Sequence, residues 1–215
     1  SSMFDIGIFT TIKIIDGNPL FFDKHQNRLL SHAKSLNIPQ PKDIEKQVNN
    51  FLNKNKPFHC ALRITITKEG GLLIESRPLP QSSSLSLITI PDKRDKFRTL
   101  KTTNRAVNIA AKNQAEKLGA DDALFMQNNH IIESTYANVF SIDDNGNLIT
   151  PPLEGKGLQG IARLVILEQT PVIEKEISFK TNGPLVLVNS LRIQTIKKLD
   201  GRILADSETL FKKIK

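Results

Sequence analysis

The stretch from Leu100 to Arg163 constrains the fold most, because it alternates short strand patterns with helix patterns. Apolar runs bounded by turn residues predict four short strands, at residues 123–126, 130–133, 138–142 and 148–150. Gly160 precedes an apolar run that predicts a helix reaching about Gln169. Strands and helices in this order must share a core, so the stretch predicts a mixed fold, α+β or α/β.

The rest of the chain adds elements on both sides of this stretch. Alternating patterns predict further strands at residues 6–15, 61–67, 71–75, 85–90, 185–189 and 192–199. Helices are predicted at residues 24–36, at residues 42–53 and after Asp206-Ser207. The first of them should open with a capping box formed by Asp23 and Gln26. Another helix should follow Lys101 and end at Gly119, burying a face made of Val107, Ala110, Ala111 and Leu118.

Composition excludes several classes of protein. The 215 residues are 39% hydrophobic and 24% charged, which is ordinary for a globular chain with one large or two small domains. A single cysteine, Cys60, excludes an internal disulfide and favours a reducing, cytoplasmic compartment. No apolar run approaches the roughly 20 residues of a membrane helix, so no membrane partner is predicted.

The net charge of +8 has two interpretations. Nucleic-acid binding is one, but the basic residues are scattered and aromatic residues, at 6%, supply few stacking platforms. An anionic cofactor and an anionic substrate use the same charge more simply, so no nucleic-acid partner is predicted. The histidines are isolated and show no metal-ligand spacing, so no metal site is predicted.

Three features of the central stretch have the chemistry needed to hold a cofactor. Lys101 offers an amine, Glu133 lies at the end of a predicted strand, and Gly160 opens a predicted helix. An amine binds an aldehyde, a carboxylate keeps a pyridine nitrogen protonated, and a helix N-terminus binds phosphate. Each feature alone is weak, because a lysine or glutamate is usually a solvated surface charge. Together they are the parts that would hold pyridoxal phosphate.

The order and spacing of these residues resemble the class IV aminotransferases, the fold-type IV pyridoxal phosphate enzymes. The resemblance rests on Lys101 with Asn104 three residues later, on the run Glu133-Ser134-Thr135-Tyr136-Ala137-Asn138-Val139-Phe140, and on Gly160-Ile161-Ala162-Arg163. It implies a two-domain fold similar to D-amino acid aminotransferase, a pyridoxal 5'-phosphate cofactor and a homodimer. The implied domains are 1–92, small and α/β, and 100–215, a larger pseudo-barrel carrying the cofactor lysine, with 93–99 as the linker.

The resemblance also implies roles for single residues. Lys101 would be the Schiff-base lysine, Glu133 would meet the ring nitrogen, and Asn138 would brace the turn beneath the ring. The implied phosphate ligands are Arg28, Ser190 and the backbone of Gly160, Ile161 and Ala162. Candidate contacts to a small anionic amine substrate are Asn104, Arg105 and Arg192, of which Arg192 could equally face solvent.

Local features favour 4-amino-4-deoxychorismate lyase within this family. Lys101 is followed by Thr102-Thr103-Asn104-Arg105, as in the lyases, and Thr10 stands where aminotransferases usually carry glutamate. The run Asn189-Ser190-Leu191 is also similar to the lyases. The implied reaction releases pyruvate and 4-aminobenzoate in folate biosynthesis, with Lys101 removing a proton and Lys101 or Thr10 supplying one.

Two alternatives stay open at this point. One is a class IV aminotransferase acting on branched-chain or D-amino acids, and the other is a degenerate homologue that binds the cofactor without catalysis. Family members usually carry further residues before the position of Met3, so the resemblance implies a shortened N-terminus. A shortened N-terminus would leave fewer walls around the site and alter its specificity.

Overall fold

The computed structural model describes residues 6–214, and the chain divides into two compact units. The first unit holds the residues up to Pro80 together with Leu100–Asn104, which we call the lysine segment. The second unit holds Gln81–Thr99 and the residues from Arg105 onward. This division differs from the predicted one, which ended the first domain at residue 92 and gave the lysine to the second. The predicted shortening before Met3 lies outside the described residues.

The first unit is an antiparallel sheet packed against two helices. Its strands follow the order β2-β1-β3-β4, with bounds β1 Ile8–Ile15, β2 Asn18–Pro19, β3 Cys60–Ile66 and β4 Leu72–Arg77. The helices are α1 Phe22–Ser35 and α2 Ile44–Asn55. Alternate residues of β1, including Ile8 and Ile12, share a buried core with Leu29 of α1 and Val48 of α2. The period-two pattern of β1 is therefore what selects the face that the helices cover.

Helix α1 begins earlier than the predicted capping box. Its N-cap is Phe21, which has a φ of 53° and no side-chain cap, and Asp23 lies inside the first turn. The β1–β2 hairpin, closed by a Leu20 N–H bond to the Lys13 carbonyl, delivers the chain directly into the helix. The capping prediction was wrong, and Asp23 instead places its charge at the positive end of the helix dipole.

The second unit is built on one large mixed sheet. Its strands are β5 Leu85–Pro91, β6 Asp122–Gln127, β7 His130–Ser134, β8 Asn138–Ile142, β9 Leu148–Thr150, β10 Ile173–Glu174, β11 Ile177–Ser178, β12 Leu185–Val188, β13 Ile193–Leu199 and β14 Arg202–Ile203. They follow the order β10-β9-β8-β12-β13-β5-β6-β7-β11, with β14 beside β13. Since β7 also pairs with β8 through Glu133 and Asn138, six of these strands close into a barrel-like ring.

Helices pack around this ring. They are a 3-10 helix at Lys96–Thr99, α3 Ala106–Lys117, α4 Ile161–Gln169 and α5 Glu208–Ile214. Helix α4 begins at Gly160 as predicted, and Gly119 follows the end of α3 with a φ of 76°. The predicted buried face of α3 was largely wrong, because Ala111 and Ala115 are buried whereas Val107 and Leu118 are exposed. The small alanine side chains let α3 lie close against β6.

The predicted fold class is confirmed by this architecture. Mixed helices and strands form a smaller sheet-and-helix unit and a larger barrel-like unit. Among residues 6–214, no helix is both long enough and apolar enough to cross a membrane.

Candidate active site

The lysine segment is pinned along the start of β1. The Phe9 N–H donates to the Lys101 carbonyl at 3.0 Å, and the Thr103 N–H donates to the Gly7 carbonyl at 2.9 Å. Between them, Ile8 and Thr102 form an antiparallel bridge. The Gly7 N–H is taken by the Thr103 hydroxyl at 2.9 Å. The backbone of Lys101 is thereby fixed against a buried strand.

The Lys101 amine lies over an aromatic ring. Its Nζ is 4.8 Å from the centroid of Phe9, and the Arg63 guanidinium carbon lies 3.9 Å from the same centroid. In the β1–β3 register Phe9 pairs with Thr65 and Thr11 pairs with Arg63, so Phe9 and Arg63 share one face of the sheet. Thr10 points to the opposite face, which α1 covers. The amine and the Arg63 guanidinium therefore both contact Phe9, on the sheet face that the core helices leave uncovered.

Two histidines of α1 lie beneath this arrangement. His25 Nδ1 is 2.7 Å from the Thr10 hydroxyl oxygen, and His32 Nδ1 accepts the Lys101 N–H at 3.1 Å. Burial, with the charges of Arg28 and Lys101, lowers the pKa of His25 to about 3. The same causes lower the pKa of His32 to about 4. Both imidazoles are therefore neutral at pH 7, and each can accept a hydrogen bond.

Thr10 connects His25 to Arg28. Arg28 Nη2 donates to the Thr10 hydroxyl oxygen at 3.0 Å, which leaves the hydroxyl proton for His25 Nδ1. Thr10 itself is fully buried. Burial lowers the pKa of Arg28 to about 10, so its guanidinium is still charged at neutral pH. Thr10 is thus held by α1 on the face away from the Lys101 amine, and direct proton delivery from Thr10 has no support in this geometry.

In the second unit, Glu133 is a buried carboxylate at the end of β7. It is 4% exposed, and its Oε1 accepts a hydrogen bond from Arg94 Nη1 at 2.5 Å. The Leu158 N–H donates to both carboxylate oxygens, at 3.1 and 3.2 Å. A Cβ on Gly157 would lie 3.0 Å from Glu133 Oε1, so a glycine there keeps the space beside the carboxylate open.

Arg94 is held by a second carboxylate. Its Nε and Nη2 each donate to Asp92 at 2.9 Å, and its guanidinium carbon lies 4.0 Å over the ring of Phe125. Burial disfavours the charged forms of Arg94 and Asp92, but the hydrogen bonds and ion pairs between these groups outweigh it. They raise the pKa of Arg94 and hold the pKa of Asp92 below its usual range. This network, Asp92–Arg94–Glu133, fixes the position of the Glu133 side chain.

Asn138 joins Glu133 to the start of α4. Its Nδ2 donates to Glu133 Oε2 at 3.3 Å and to the Leu158 carbonyl at 3.0 Å, and its Oδ1 accepts the Gly160 N–H at 3.2 Å. A Cβ on Gly160 would overlap Asn138 Oδ1, so only glycine allows this approach. The N–H groups of Ile161 and Ala162 belong to the first turn of α4, where backbone donors have no acceptor within the helix.

Arg163 anchors the same turn from inside. It is 2% exposed and donates to Gln159 Oε1 at 2.6 Å and to the Pro151 carbonyl at 3.1 Å. Its second side-chain partner is Glu174 of β10. The N-terminus of α4 is therefore held on one side by Asn138 and on the other by Arg163.

The remaining predicted residues lie in turns. Ser190 is half-buried in the β12–β13 turn, which Asn189 closes by accepting the Leu191 and Arg192 N–H groups. Arg192 donates to the Gln81 carbonyl, and its guanidinium carbon lies 5.9 Å from the Tyr136 ring centroid.

Asn104 and Arg105 are neighbours in the sequence, but the first belongs to the lysine segment and the second to the second unit. Arg105, the N-cap residue of α3, donates to the Thr135 carbonyl, in the loop that follows Glu133. Asn104 is exposed, and its carbonyl accepts the Thr102 hydroxyl at 3.1 Å. Arg105 and Arg192 thus each bond a backbone carbonyl of the second unit.

Sequence reasoning missed Arg94, Arg63 and the contacts of the two histidines. Arg94 was hidden in a charged, turn-rich segment that predicts a linker. The seven-residue spacing of His25 and His32, with Arg28 between them, was the available signal for a shared helix face. No group of three or more His, Cys, Asp or Glu residues within 6–214 is arranged to hold a metal ion.

A family model supplies the class of protein. The model of amino-transferase class IV matches residues 7–198. The chain therefore belongs to the class IV aminotransferase family, whose members depend on pyridoxal phosphate.

Individual relatives carry different activity names within this class. A D-alanine aminotransferase of Staphylococcus epidermidis is 25% identical over 237 residues, covering 96% of this chain and 84% of that protein. A Methanocaldococcus jannaschii protein, provisionally named branched-chain-amino-acid aminotransferase, is 25% identical over 244 residues, covering 97% of this chain and 84% of that protein. A solved structure from Legionella pneumophila, provisionally named 4-amino-4-deoxychorismate lyase, has a TM-score of 0.87 at 27% identity, covering 97% and 88%.

The second unit has the donor set that this cofactor needs. Glu133 is a buried carboxylate suited to a protonated ring nitrogen, and the first turn of α4 offers backbone N–H groups for a phosphate. The close approach that Gly160 permits ties these two groups together through Asn138. In the first unit, Lys101 supplies an amine and Arg28 a buried cation.

Proposed function

We propose that this chain is a pyridoxal phosphate-dependent lyase that converts 4-amino-4-deoxychorismate to 4-aminobenzoate and pyruvate, a step in folate biosynthesis. The family match supports assigning Lys101, Glu133 and the start of α4 to one cofactor. A reducing cytoplasmic location belongs to the same proposal, supported by Cys60, whose thiol is free and buried.

The residues of the chain divide the work as follows. Pyridoxal phosphate, when bound, supplies an electron sink for the bond that breaks at the substrate. Lys101 would hold the cofactor through its amine, and the same amine would take the proton from the substrate carbon that bears the amino group. Glu133 holds the proton on the ring nitrogen. The N–H groups of Ile161 and Ala162, with Arg28 and Ser190, bind the phosphate.

Arg63 is proposed as the contact for a substrate carboxylate. Its guanidinium lies over Phe9, as the Lys101 amine does, and desolvation lowers its pKa, so the charge has lost part of its hydration. A partly dehydrated guanidinium binds a carboxylate more strongly than a fully solvated one does. The proposed substrate carries two carboxylates, which suits a site with several cations.

The observation that carries the lyase assignment is the contact between Thr10 and Arg28. A hydroxyl, rather than the glutamate usual in aminotransferases, accepts the Arg28 N–H at 3.0 Å. The resemblance to the Legionella pneumophila structure supports the same reaction.

An aminotransferase is the second candidate, and the curated relatives favour it. The proteins from Staphylococcus epidermidis and Methanocaldococcus jannaschii both carry aminotransferase names. An aminotransferase would use the same Lys101 and Glu133 but would return the proton to the cofactor and require a keto-acid acceptor.

The two reactions are separated by their products. Purified protein with pyridoxal phosphate should release pyruvate from 4-amino-4-deoxychorismate without an acceptor, and it should transfer little amine from D-alanine or leucine to 2-oxoglutarate. Lys101→Ala should abolish either reaction, and borohydride should fix the cofactor to Lys101 in the parent. Thr10→Val should reduce pyruvate release, because it removes the hydroxyl that holds Arg28, a proposed phosphate ligand. Amine transfer without pyruvate release would replace the lyase by the aminotransferase.

We also propose that the protein is a homodimer, since two-fold assembly is the commonest state of soluble homo-oligomers and the resemblance implies it. Light scattering at micromolar concentration should report about twice the mass of the chain. A monomer with full activity would contradict this.

A further inference from the structure

His32, on α1, contacts the backbone of the lysine segment. Its Nδ1 accepts the backbone N–H of Lys101 at 3.1 Å, across 69 positions of sequence. Both residues belong to the first unit. This contact is made to the peptide of the cofactor lysine and not to its side chain. It therefore constrains the position of the Lys101 backbone, from which the side chain extends.

The contact stands at the end of a short ladder. Lys101 and Phe9 face each other as neighbours in the antiparallel pairing of the lysine segment with β1. The Phe9 N–H bonds to the Lys101 carbonyl, whereas the Lys101 N–H turns to the imidazole. At the other end the Gly7 N–H is taken by the Thr103 hydroxyl. Side chains therefore terminate both ends of the pairing and fix its register.

The imidazole is in the state that this contact requires. An imidazole accepts a hydrogen bond at Nδ1 only when it is neutral with its proton on Nε2. Burial, with the charges of Arg28 and Lys101, lowers the pKa of His32 to about 4. The ring therefore accepts the Lys101 N–H throughout the neutral range.

We propose that His32 is a positioning residue for Lys101, fixing the lysine backbone and with it the place of the amine over Phe9. The Lys101 amine lies 4.8 Å from the Phe9 centroid, and a rotation of the Lys101 peptide would carry the whole side chain with it. A misplacement of about 1 Å is enough to slow a positioned reaction a hundredfold. This inference rests on the proposed cofactor role of Lys101.

The first experiment needs no cofactor. Hydrogen exchange of a peptide covering the lysine segment is compared among the parent, His32→Asn, His32→Ala and His32→Leu. Asparagine places Oδ1 where Nδ1 stood and should keep the protection of the Lys101 amide. Alanine and leucine remove the acceptor, one leaving space and one filling it, and should both speed exchange about threefold to tenfold. His59→Leu, at a half-exposed histidine of the same unit, should leave exchange unchanged.

The second experiment loads the variants with pyridoxal phosphate. Borohydride trapping over time, followed by peptide mapping, measures how quickly Lys101 captures the cofactor. The alanine and leucine variants should capture it about tenfold more slowly, and the asparagine variant should match the parent. Far-UV circular dichroism of each variant checks that the fold is intact. If only the leucine variant fails to fold, the alanine variant decides.

The outcomes separate the two proposals. Equal exchange and equal capture in the parent and the alanine variant would overturn the role of His32. Failure of the parent to capture the cofactor would overturn the proposed function, while the exchange data would still report on the contact between His32 and Lys101. Slower capture in the asparagine variant, to the same extent as in the alanine variant, would mean that the acceptor atom is not what matters, and would also overturn the proposal.

Discussion

Acid should destabilise the first unit through its two neutral histidines. His25 is 1% exposed, and its pKa is lowered to about 3 by burial and by the charges of Arg28 and Lys101. The pKa of His32 is lowered to about 4 in the same way. In the unfolded chain both groups return to about 6.5. The unfolded state therefore binds more protons below that pH, so stability falls as the pH falls from about 6.5 towards 3 or 4.

The size of the effect follows from these shifts. Each such histidine removes up to about 1.4 kcal/mol of unfolding free energy for each pH unit within its window. Between pH 7 and pH 5, His25 should account for about 2 kcal/mol. His32 is partly exposed, and after allowing for solvent screening it should add about 1 kcal/mol. Carboxylates contribute little in this interval because most of them titrate at lower pH.

Urea unfolding at pH 7, 6 and 5, without cofactor and followed by circular dichroism, measures the slope. His25→Asn keeps an acceptor for the Thr10 hydroxyl but cannot titrate, so its unfolding free energy should fall by about 2 kcal/mol less over this range. Gln47→Ala, at an exposed side chain of α2 that does not titrate, is the control and should keep the parent slope. Equal slopes for the parent and His25→Asn would refute the reasoning.

Three further changes test the second unit. Arg94→Leu should lower the unfolding free energy by about 3–5 kcal/mol, because it leaves the Glu133 carboxylate buried without its guanidinium; urea titration at pH 7 measures this. Gly160→Ala should lower it by about 1–3 kcal/mol and weaken phosphate binding in calorimetry, because its Cβ would overlap Asn138. Asp122→Asn should gain stability relative to the parent as pH rises from 4 to 8, since burial raises the pKa of this carboxyl and the folded parent loses stability above the ordinary value. Parallel pH curves for the two proteins would contradict this last expectation.

Elements with strong local signals could be predicted from the sequence. The helix after Gly160 and the strands ending at Glu133 and beginning at Asn138 lie within a residue or so of their predicted bounds. In each case the signal is a turn residue next to an apolar run. Such a signal depends only on residues that are adjacent in the sequence. The α3 face failed because close packing against β6 selected the small Ala111 and Ala115 over larger apolar residues.

The candidate site divides in the same way. Motif spacing predicts Lys101 and Glu133 as site residues, but what surrounds them depends on contacts between distant parts of the chain. Arg94 reaches Glu133 across 39 positions, and His32 reaches Lys101 across 69. Such partners have no local signature, because the residues flanking an arginine in the sequence do not show whether its side chain is buried or on the surface. Burial decides between them, and burial is a property of the fold.

The division of the chain also bears on its synthesis. The first unit includes the lysine segment, yet the chain passes through Gln81–Thr99 of the second unit before reaching it. A ribosome that has finished Pro80 has therefore not yet made the piece that lines the start of β1. At about 5–20 residues per second, synthesis of the intervening residues takes some seconds. During this time the start of β1 lacks its backbone partners from the lysine segment. A fragment ending at Pro80 would lack this piece permanently, so the unit cannot be produced by simple truncation.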